Sequence, residues 1–266
     1  YPLFLVTRSS TGIDDSSYPG LYSLISDMFP PLVRGRIYGL LQVTSPLGYL
    51  LGTVMGLALG GALGWRNVFL ITGSLGIVLS FFLFFFLQDP PRGQAEPELT
   101  GQVQPGVFRF EWSTARDLFR KPSLILLFIQ DFFGVFPWNA ITYWFFAYLE
   151  IERGYDTNTV MMTMVVAVLV LAAGYPLGGA LGDYLFKRNP RGRLVVATTG
   201  VILGAILMVI TLSIPHEQVG LFLVSLSLTA LCVPLASANV AATLYDITLP
   251  EVRSTAMAVQ SFIESI

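Results

Sequence analysis

The sequence is short of the residues that carry most chemistry. Its 266 residues include one cysteine, Cys232, and one histidine, His216. A lone cysteine excludes a disulfide within the chain, and with a single histidine it makes no metal site. Neither a metal nor a cofactor is expected. There is no His-x-x-x-His and no Ser-x-x-Lys pattern, so no cluster of nucleophile, base or metal ligands marks an enzyme. Charge is scarce too: 12% of residues are charged and the net charge is −2, which gives no footprint for nucleic acid. Polar surface is also missing, since 54% of residues are hydrophobic, and a soluble chain of this length needs far more.

What is abundant is apolar sequence in long runs. Crossing a ~30 Å hydrocarbon layer takes roughly 20 helical residues. Periodicity and breakers predict eight helices, at about 1–26, 37–62, 68–87, 122–149, 159–183, 194–214 and 220–245, with the last opening after Arg253. The chain therefore reads as an all-α integral membrane protein in a lipid bilayer. It begins without Met, already apolar, and stops at Ile266 inside a further run. It is expected to be a fragment, and no signal peptide is read from its start.

An internal repeat organises these helices. Asp27-Met-Phe-Pro-Pro31-Leu-Val33-Arg34 returns as Asp246-Ile-Thr-Leu-Pro250-Glu-Val252-Arg253, with Asp, Pro, Val and Arg at one constant offset. Each copy closes one apolar helix and opens the next. If two halves correspond, each holds six helices, 6+6 in the full chain, and this chain carries helices 4 to 11. Parallel six-helix halves are a transporter architecture. Residues 1–87 then end the first bundle, 88–121 form a linker, and 122–266 belong to the second bundle. The linker opens with the helix stop Asp89-Pro-Pro-Arg-Gly93. Its later part, from Phe108 to Lys121, mixes aromatics with basic residues, as a helix lying on a membrane surface does, although a flexible linker fits as well.

Basic residues orient the chain. Arg34, Arg36, Arg92, Arg109, Arg116, Arg120, Lys121, Lys187, Arg188, Arg191, Arg193 and Arg253 fall in loops on one side. Only Arg66 and Arg153 fall on the other. The first set is therefore expected to be cytoplasmic, and the membrane a prokaryotic inner (plasma) membrane.

Two patterns stand out inside the apolar runs. Gly48, Gly52, Gly56, Gly60 and Gly64 recur every fourth residue, as do Gly174, Gly178 and Gly182. In lipid, such spacing lets two backbones approach closely, although simple thinning of the helices is an alternative. The second pattern is ionisable: Arg8, Asp14, Asp15 and Asp131. Groups of this kind are costly in lipid and face a cavity or one another. Asp15 lies on nearly the same helix face as Arg8, roughly 10 Å away. Asp131 precedes Pro137, which is expected to kink or break its helix. Alternatives remain for each: Arg8 snorkelling to the surface, the Asp14–Asp15 pair in a water-filled mouth, and Asp131 capping a helix break.

Gly179-Ala-Leu181-Gly-Asp183-Tyr-Leu-Phe-Lys187-Arg188 resembles the loop signature of the major facilitator superfamily, with Phe186 where the signature has glycine. Arg8-Ser-Ser-Thr-Gly12-Ile-Asp14-Asp15-Ser-Ser-Tyr18 is similar to the fourth helix of its Spinster-like (lysolipid and sphingolipid transporter) branch. Asp14 stands there for a glycine and Asp15 for a glutamate. The antiporter Gly-Pro pattern is only partly present, as Ser45-Pro46-Leu47-Gly48.

The resemblance implies the major facilitator fold. It also implies a monomeric, proton-coupled transporter of a small-molecule or lipid-like substrate, amphipathic or anionic, working by alternating access. A non-transporting receptor or sensor of the same fold stays open. Substrate and proton coupling is expected at Arg8, Asp15, Asp131, Asn139 and Tyr18, with Asp15 the first proton acceptor and Asp131 the second. A cytoplasmic latch is expected from Asp27, Arg34, Asp183, Arg188, Asp246 and Arg253. Asp183 should lie near the helix start at Arg34 to Ile37, and Arg191 or Arg193 should approach Asp246 or Glu251. The glycines Gly52, Gly56, Gly178 and Gly182 are expected on a contact between the two halves.

Overall fold

Proline sets where the helices begin. The computed structural model describes residues 5, 17–87, 90–91, 94–96, 116 and 118–264. Among them, α1 (Ser17–Met28) stops before Pro30-Pro31. A 3-10 turn, Pro31–Val33, then leads into α2 (Arg34–Gln42). After a one-residue step at Val43 the same rod continues as α3 (Thr44–Leu63). Gly64, at φ +79°, takes the left-handed backbone that ends α3, and α4 (Trp65–Phe86) follows.

Past the linker, α5 (Pro122–Ala147) opens with proline at its first position, where the missing N–H costs nothing. A π-turn, Tyr148–Glu152, closes it. The helix assignment continues through position 137, so Pro137 does not break α5 as expected. Neighbouring helices tolerate such a residue inside a membrane span. The long α6 (Thr157–Phe186) is capped by Asp156, which accepts from the Asn158 and Thr159 amides at 3.1 and 3.3 Å. Then come α7 (Gly192–Ser213) and α8 (Val219–Cys232). A 3-10 turn at Val233–Leu235, holding Pro234, interrupts the run that the sequence spacing joins into one helix, and α9 (Ser237–Ile247) completes it. The second repeat copy mirrors the first: a 3-10 turn at Pro250–Val252 precedes α10 (Arg253–Glu264).

The distribution of polarity is inverted relative to a water-soluble protein. Phe69, Phe81, Phe84, Phe86, Met162 and Val209 are exposed, while Arg34, Arg193 and Arg253 are fully buried. No residue of α4 is buried at all. Among the described residues, four helical stretches, Trp65–Phe86, Thr157–Phe186, Gly192–Ser213 and Val219–Ile247, are long and apolar enough to cross a membrane. An apolar exterior around buried ion pairs is what lipid as solvent selects.

Two cores tie the helices together. The larger one lies near the repeat copies and holds Tyr22, Tyr38, Phe128, Leu244, Tyr245 and Met257. Tyr22 and Tyr38 stack with ring centroids 4.9 Å apart, and the Tyr38 hydroxyl donates to the Tyr22 carbonyl at 3.0 Å. The smaller core includes Leu149, Tyr155, Ile214 and Phe222. At that site Arg153, buried to 5% exposure, donates to the Ile214 and Pro215 carbonyls and lies 3.8 Å from the Phe222 ring centroid.

Candidate functional site

The repeat copies meet, and each supplies an arginine to the other. Arg34 opens α2 and Asp246 sits at the end of α9; Arg34 Nη1 donates to Asp246 Oδ1 at 3.1 Å. In the reciprocal pair, Arg253 Nη1 lies 3.7 Å from Asp27 Oδ1. Local geometry aims both guanidiniums. Arg34 donates to the Phe29 carbonyl at 3.1 Å and the Ser26 carbonyl at 2.5 Å, and Arg253 donates to the Tyr245 carbonyl at 3.1 Å. Ser26 and Tyr245 are equivalent positions of the two copies.

Asp183, at the end of α6, joins this cluster from the side. Its two carboxylate oxygens accept from the backbone amides of Gly35 at 3.0 Å and Arg36 at 2.9 Å. These are first-turn N–H groups of α2, which have no partner within their own helix, and the positive end of the helix dipole favours the anion. Both amides fall inside the Arg34 to Ile37 stretch singled out from sequence. Arg193 bridges the remaining gap: its guanidinium donates to Asp183 at 2.6 Å and is paired with Asp246.

Glu96 completes the cluster. Its Oε1 is 2.5 Å from Arg34 and 2.6 Å from Arg253, so one oxygen serves both repeat arginines. Among the described residues, four carboxylates (Asp27, Glu96, Asp183, Asp246) thus meet three guanidiniums and one helix N-terminus. The helix end supplies the partial positive charge that three arginines leave short. Glu96 was not visible in the sequence, because it stands alone in a polar stretch with no periodic pattern. Arg193 was named only as one of two possibilities.

Other expected residues lie elsewhere. Arg188 is not in the cluster; it is exposed, donating to the Tyr184 hydroxyl at 2.5 Å. It follows the end of α6, whereas Arg193 lies in the first turn of α7 and is turned inward. Arg191 is exposed and donates its amide to Asn189. Tyr18 is an exposed residue of α1 with its ring 6.4 Å from that of Tyr22. Asp131 is buried on α5, away from the cluster, facing Gln260 and Glu264 of α10. Arg8, Asp14 and Asp15, and the side chain of Asn139, lie outside the described residues.

The glycine contact is displaced from its expected place. A Cβ at Gly52 or Gly56 would meet nothing within 4 Å. The close approach of α2 to α6 is made by Gly35 and Gly39. A Cβ on Gly39 would stand 2.5 Å from the Tyr175 carbonyl oxygen, and one on Gly179 would strike the Gly35 backbone. Gly178 and Gly182 pack on Leu235 and Asn239, on the far side of α6. Four-residue spacing marks a helix face but not the depth at which two helices cross. Gly35 and Gly39 carry the same spacing, at the start of the rod.

A cavity of about 300 Å³ lies between α3, α5, α6, α7 and α8. Its wall is chiefly apolar, with Tyr49, Tyr175 and Thr229 among the few polar groups.

Helices of spanning length, an apolar exterior and a buried ion cluster define an all-α, multi-pass integral membrane protein. The Major Facilitator Superfamily model matches residues 1–266, and the chain belongs to that family. It is 26% identical over 277 aligned residues to Protein spinster homolog 1 of Xenopus laevis, covering 97% of this chain and 51% of that protein. Protein spinster of Drosophila melanogaster is 28% identical over 275 residues, covering 98% and 44%. The hexuronate transporter of Bacillus subtilis is 24% identical over 197 residues, covering 70% and 44%. The chain spans about half the length of the curated relatives it matches.

Proposed function

We propose that the protein is a secondary active transporter that moves a small amphipathic or anionic solute across the membrane by alternating access, coupled to protons. The observation that carries this reading is the reciprocal pairing of the repeat copies, Arg34 with Asp246 and Arg253 with Asp27. It supports a latch between two halves, 1–87 and 122–266, at the end that the basic-residue bias assigns to the cytoplasm. The latch must part when that end opens, so its free energy helps set the balance between inward-open and inward-closed states. The names of the relatives support carriage of a solute, and the chiefly apolar cavity suits the apolar part of an amphipathic one. In this reading Arg8 holds an anionic group, Asp15 is the first proton acceptor and Asp131 the second.

The test is solute flux into liposomes holding the full chain, with and without an inward proton gradient. The gradient should drive accumulation, and Asp183→Asn should impair flux more than folding. A parent protein that binds solute yet carries none would instead be a receptor or sensor.

A further inference from the structure

Asp131 and Glu264 share a depth in the bundle. Lys121, just before α5, donates to the carbonyl of Ile247 at 3.3 Å, so α5 starts level with the charged end of α9. At 1.5 Å rise per residue, Asp131 lies about 15 Å along α5 from Lys121. Glu264 lies about 16 Å and Gln260 about 10 Å along α10 from Arg253. All three thus lie about 10–16 Å in from the charged end, and a ~30 Å hydrocarbon layer that begins at that end has its middle there. Gln260 and Glu264 are four residues apart, on one helix face.

The hydrogen bonding there is incomplete in one specific way. Gln260 Nε2 donates to Glu264 Oε1 at 3.2 Å. Gln260 lies beside Asp131 where α10 packs on α5. Yet Gln260 Oε1 and Asp131 Oδ2 are both buried without a partner. Gln260 is 4% exposed and Asp131 9%. Both orphans are acceptors, so what the site lacks is a hydrogen.

Among the described residues, no cation stands by to replace it. Neither α5 nor α1 carries a lysine or arginine, nor does α9, and Arg253 of α10 is held at the charged end by Glu96 and Asp27. The arginines of α2, Arg34 and Arg36, lie at its first turn, by Asp246 and Asp183. Among the described residues, Tyr22 of α1, with Gln42 of α2 beside it, also lies near Glu264. Two carboxylates in such surroundings cannot both stay charged.

We propose that Asp131, Gln260 and Glu264 form a proton-binding site across α5 and α10, in which one proton on Asp131 Oδ2 is donated to Gln260 Oε1 while Gln260 Nε2 donates to a charged Glu264. A single proton, taken from water, gives both orphan acceptors a partner and leaves one negative charge. The place of this site in a carrier cycle rests on the transport reading; its proton does not.

The test is infrared difference spectroscopy of the full chain in liposomes, following the C=O stretch of protonated carboxyl groups. The parent should show such a band at neutral pH. Asp131→Asn should abolish it, Gln260→Leu should move it to a weaker-hydrogen-bond frequency, and Asp156→Asn, an exposed carboxylate elsewhere, should leave it alone. An unchanged band in Asp131→Asn overturns the site. So does an unshifted band in Gln260→Leu, a readout that stands even if the aspartate variant does not fold. Loss of the parent band when sodium replaces choline would make it a metal-cation site and overturn the proton assignment. Flux assays on the same vesicles separate the two readings: a band without flux keeps the site and removes the carrier, and flux without a band does the reverse.

Discussion

Arg34 and Asp246 are bonded at 3.1 Å across 212 positions of sequence, and each is the counterpart of the other's neighbour in an internal repeat. The exchange of partners gives each repeat copy an ion pair with the other. Association of the copies is therefore built into the electrostatics of each. Removing one partner of a buried ion pair leaves the other uncompensated, at a cost of about 3–5 kcal/mol.

Arg34→Ala should accordingly lower stability by an amount near the bottom of that range, about 3 kcal/mol, because Asp246 keeps Arg193. The charge exchange Arg34→Asp with Asp246→Arg should recover part of the loss, and each single reversal should be worse than alanine. Thermal unfolding of the full chain in detergent reads all four. Equal midpoints for the single and double reversals would remove the pairing from the account.

Gly39 and Gly56 should respond oppositely to the same change. An added methyl group at Gly39 meets the Tyr175 carbonyl, backbone that cannot move aside cheaply, whereas Gly56 opens on free space. Gly39→Ala should weaken the α2–α6 contact, seen as a loss of cysteine cross-linking between positions 36 and 180, with Gly56→Ala indistinguishable from the parent. Sensitivity at Gly56 alone would return the contact to the place that the longer glycine run suggests.

Among the described residues, Arg153 pins two loops through backbone carbonyls, a tyrosine hydroxyl and an aromatic ring. It donates to the carbonyls of Ile214 and Pro215 and to the hydroxyl of Tyr155, and lies over the Phe222 ring. A desolvated cation over an aromatic face is worth about 2 kcal/mol, and lysine lacks the planar fork that reaches several acceptors together. Arg153→Lys should therefore lose most of what Arg153→Ala loses, roughly 2 kcal/mol or more, by the same unfolding assay. Full rescue by lysine would show that charge alone matters there.

Asp156 provides a pH test outside the membrane. Hydrogen bonds from Thr159 and Asn158 to its carboxylate hold its pKa below the usual value of 3.8. A carboxyl group lowered on folding stabilises the folded state fully above the unfolded value, and that contribution disappears as pH falls through the folded one. Protection of the Asn158 and Thr159 amides, relative to an unstructured amide at the same pH, should be full above about pH 4 and fall below it. Asp156→Asn, an equally good cap, should remove the acid step while keeping protection at neutral pH.

How much of this was legible beforehand can be read residue by residue. Helix starts at Arg34, Pro122 and Arg253 follow from proline and turn chemistry, which act locally, so sequence suffices. The approach of Asp183 to the first turn of α2 was reachable because a loop signature and a repeat both mark their ends of the contact. The crossing at Gly39 was not, since the glycine pattern at 48–64 is longer and drew attention away from the shorter one before it. Two prolines differ in what they do to the local pattern: the helix is not broken at Pro137, whereas a 3-10 turn interrupts it at Pro234. Glu96 had no signal at all. A single acidic residue in a polar stretch acquires meaning only when two arginines 219 positions apart by count (253 − 34) converge on it.

That convergence changes what the connecting segment is. A tether limits how far two bodies can drift, and its contribution depends on length alone. A segment that inserts a carboxylate oxygen between two guanidiniums is a wedge with a polarity of its own. Pulled out, it takes away the one oxygen that both guanidiniums share, and pushed in, it joins them. Lengthening this stretch beyond Glu96 should matter little, whereas displacing Glu96 by one or two residues turns a mediator into a bystander. The junction between the repeat copies is thus a three-body arrangement, and its tightness is written partly into the segment that connects them.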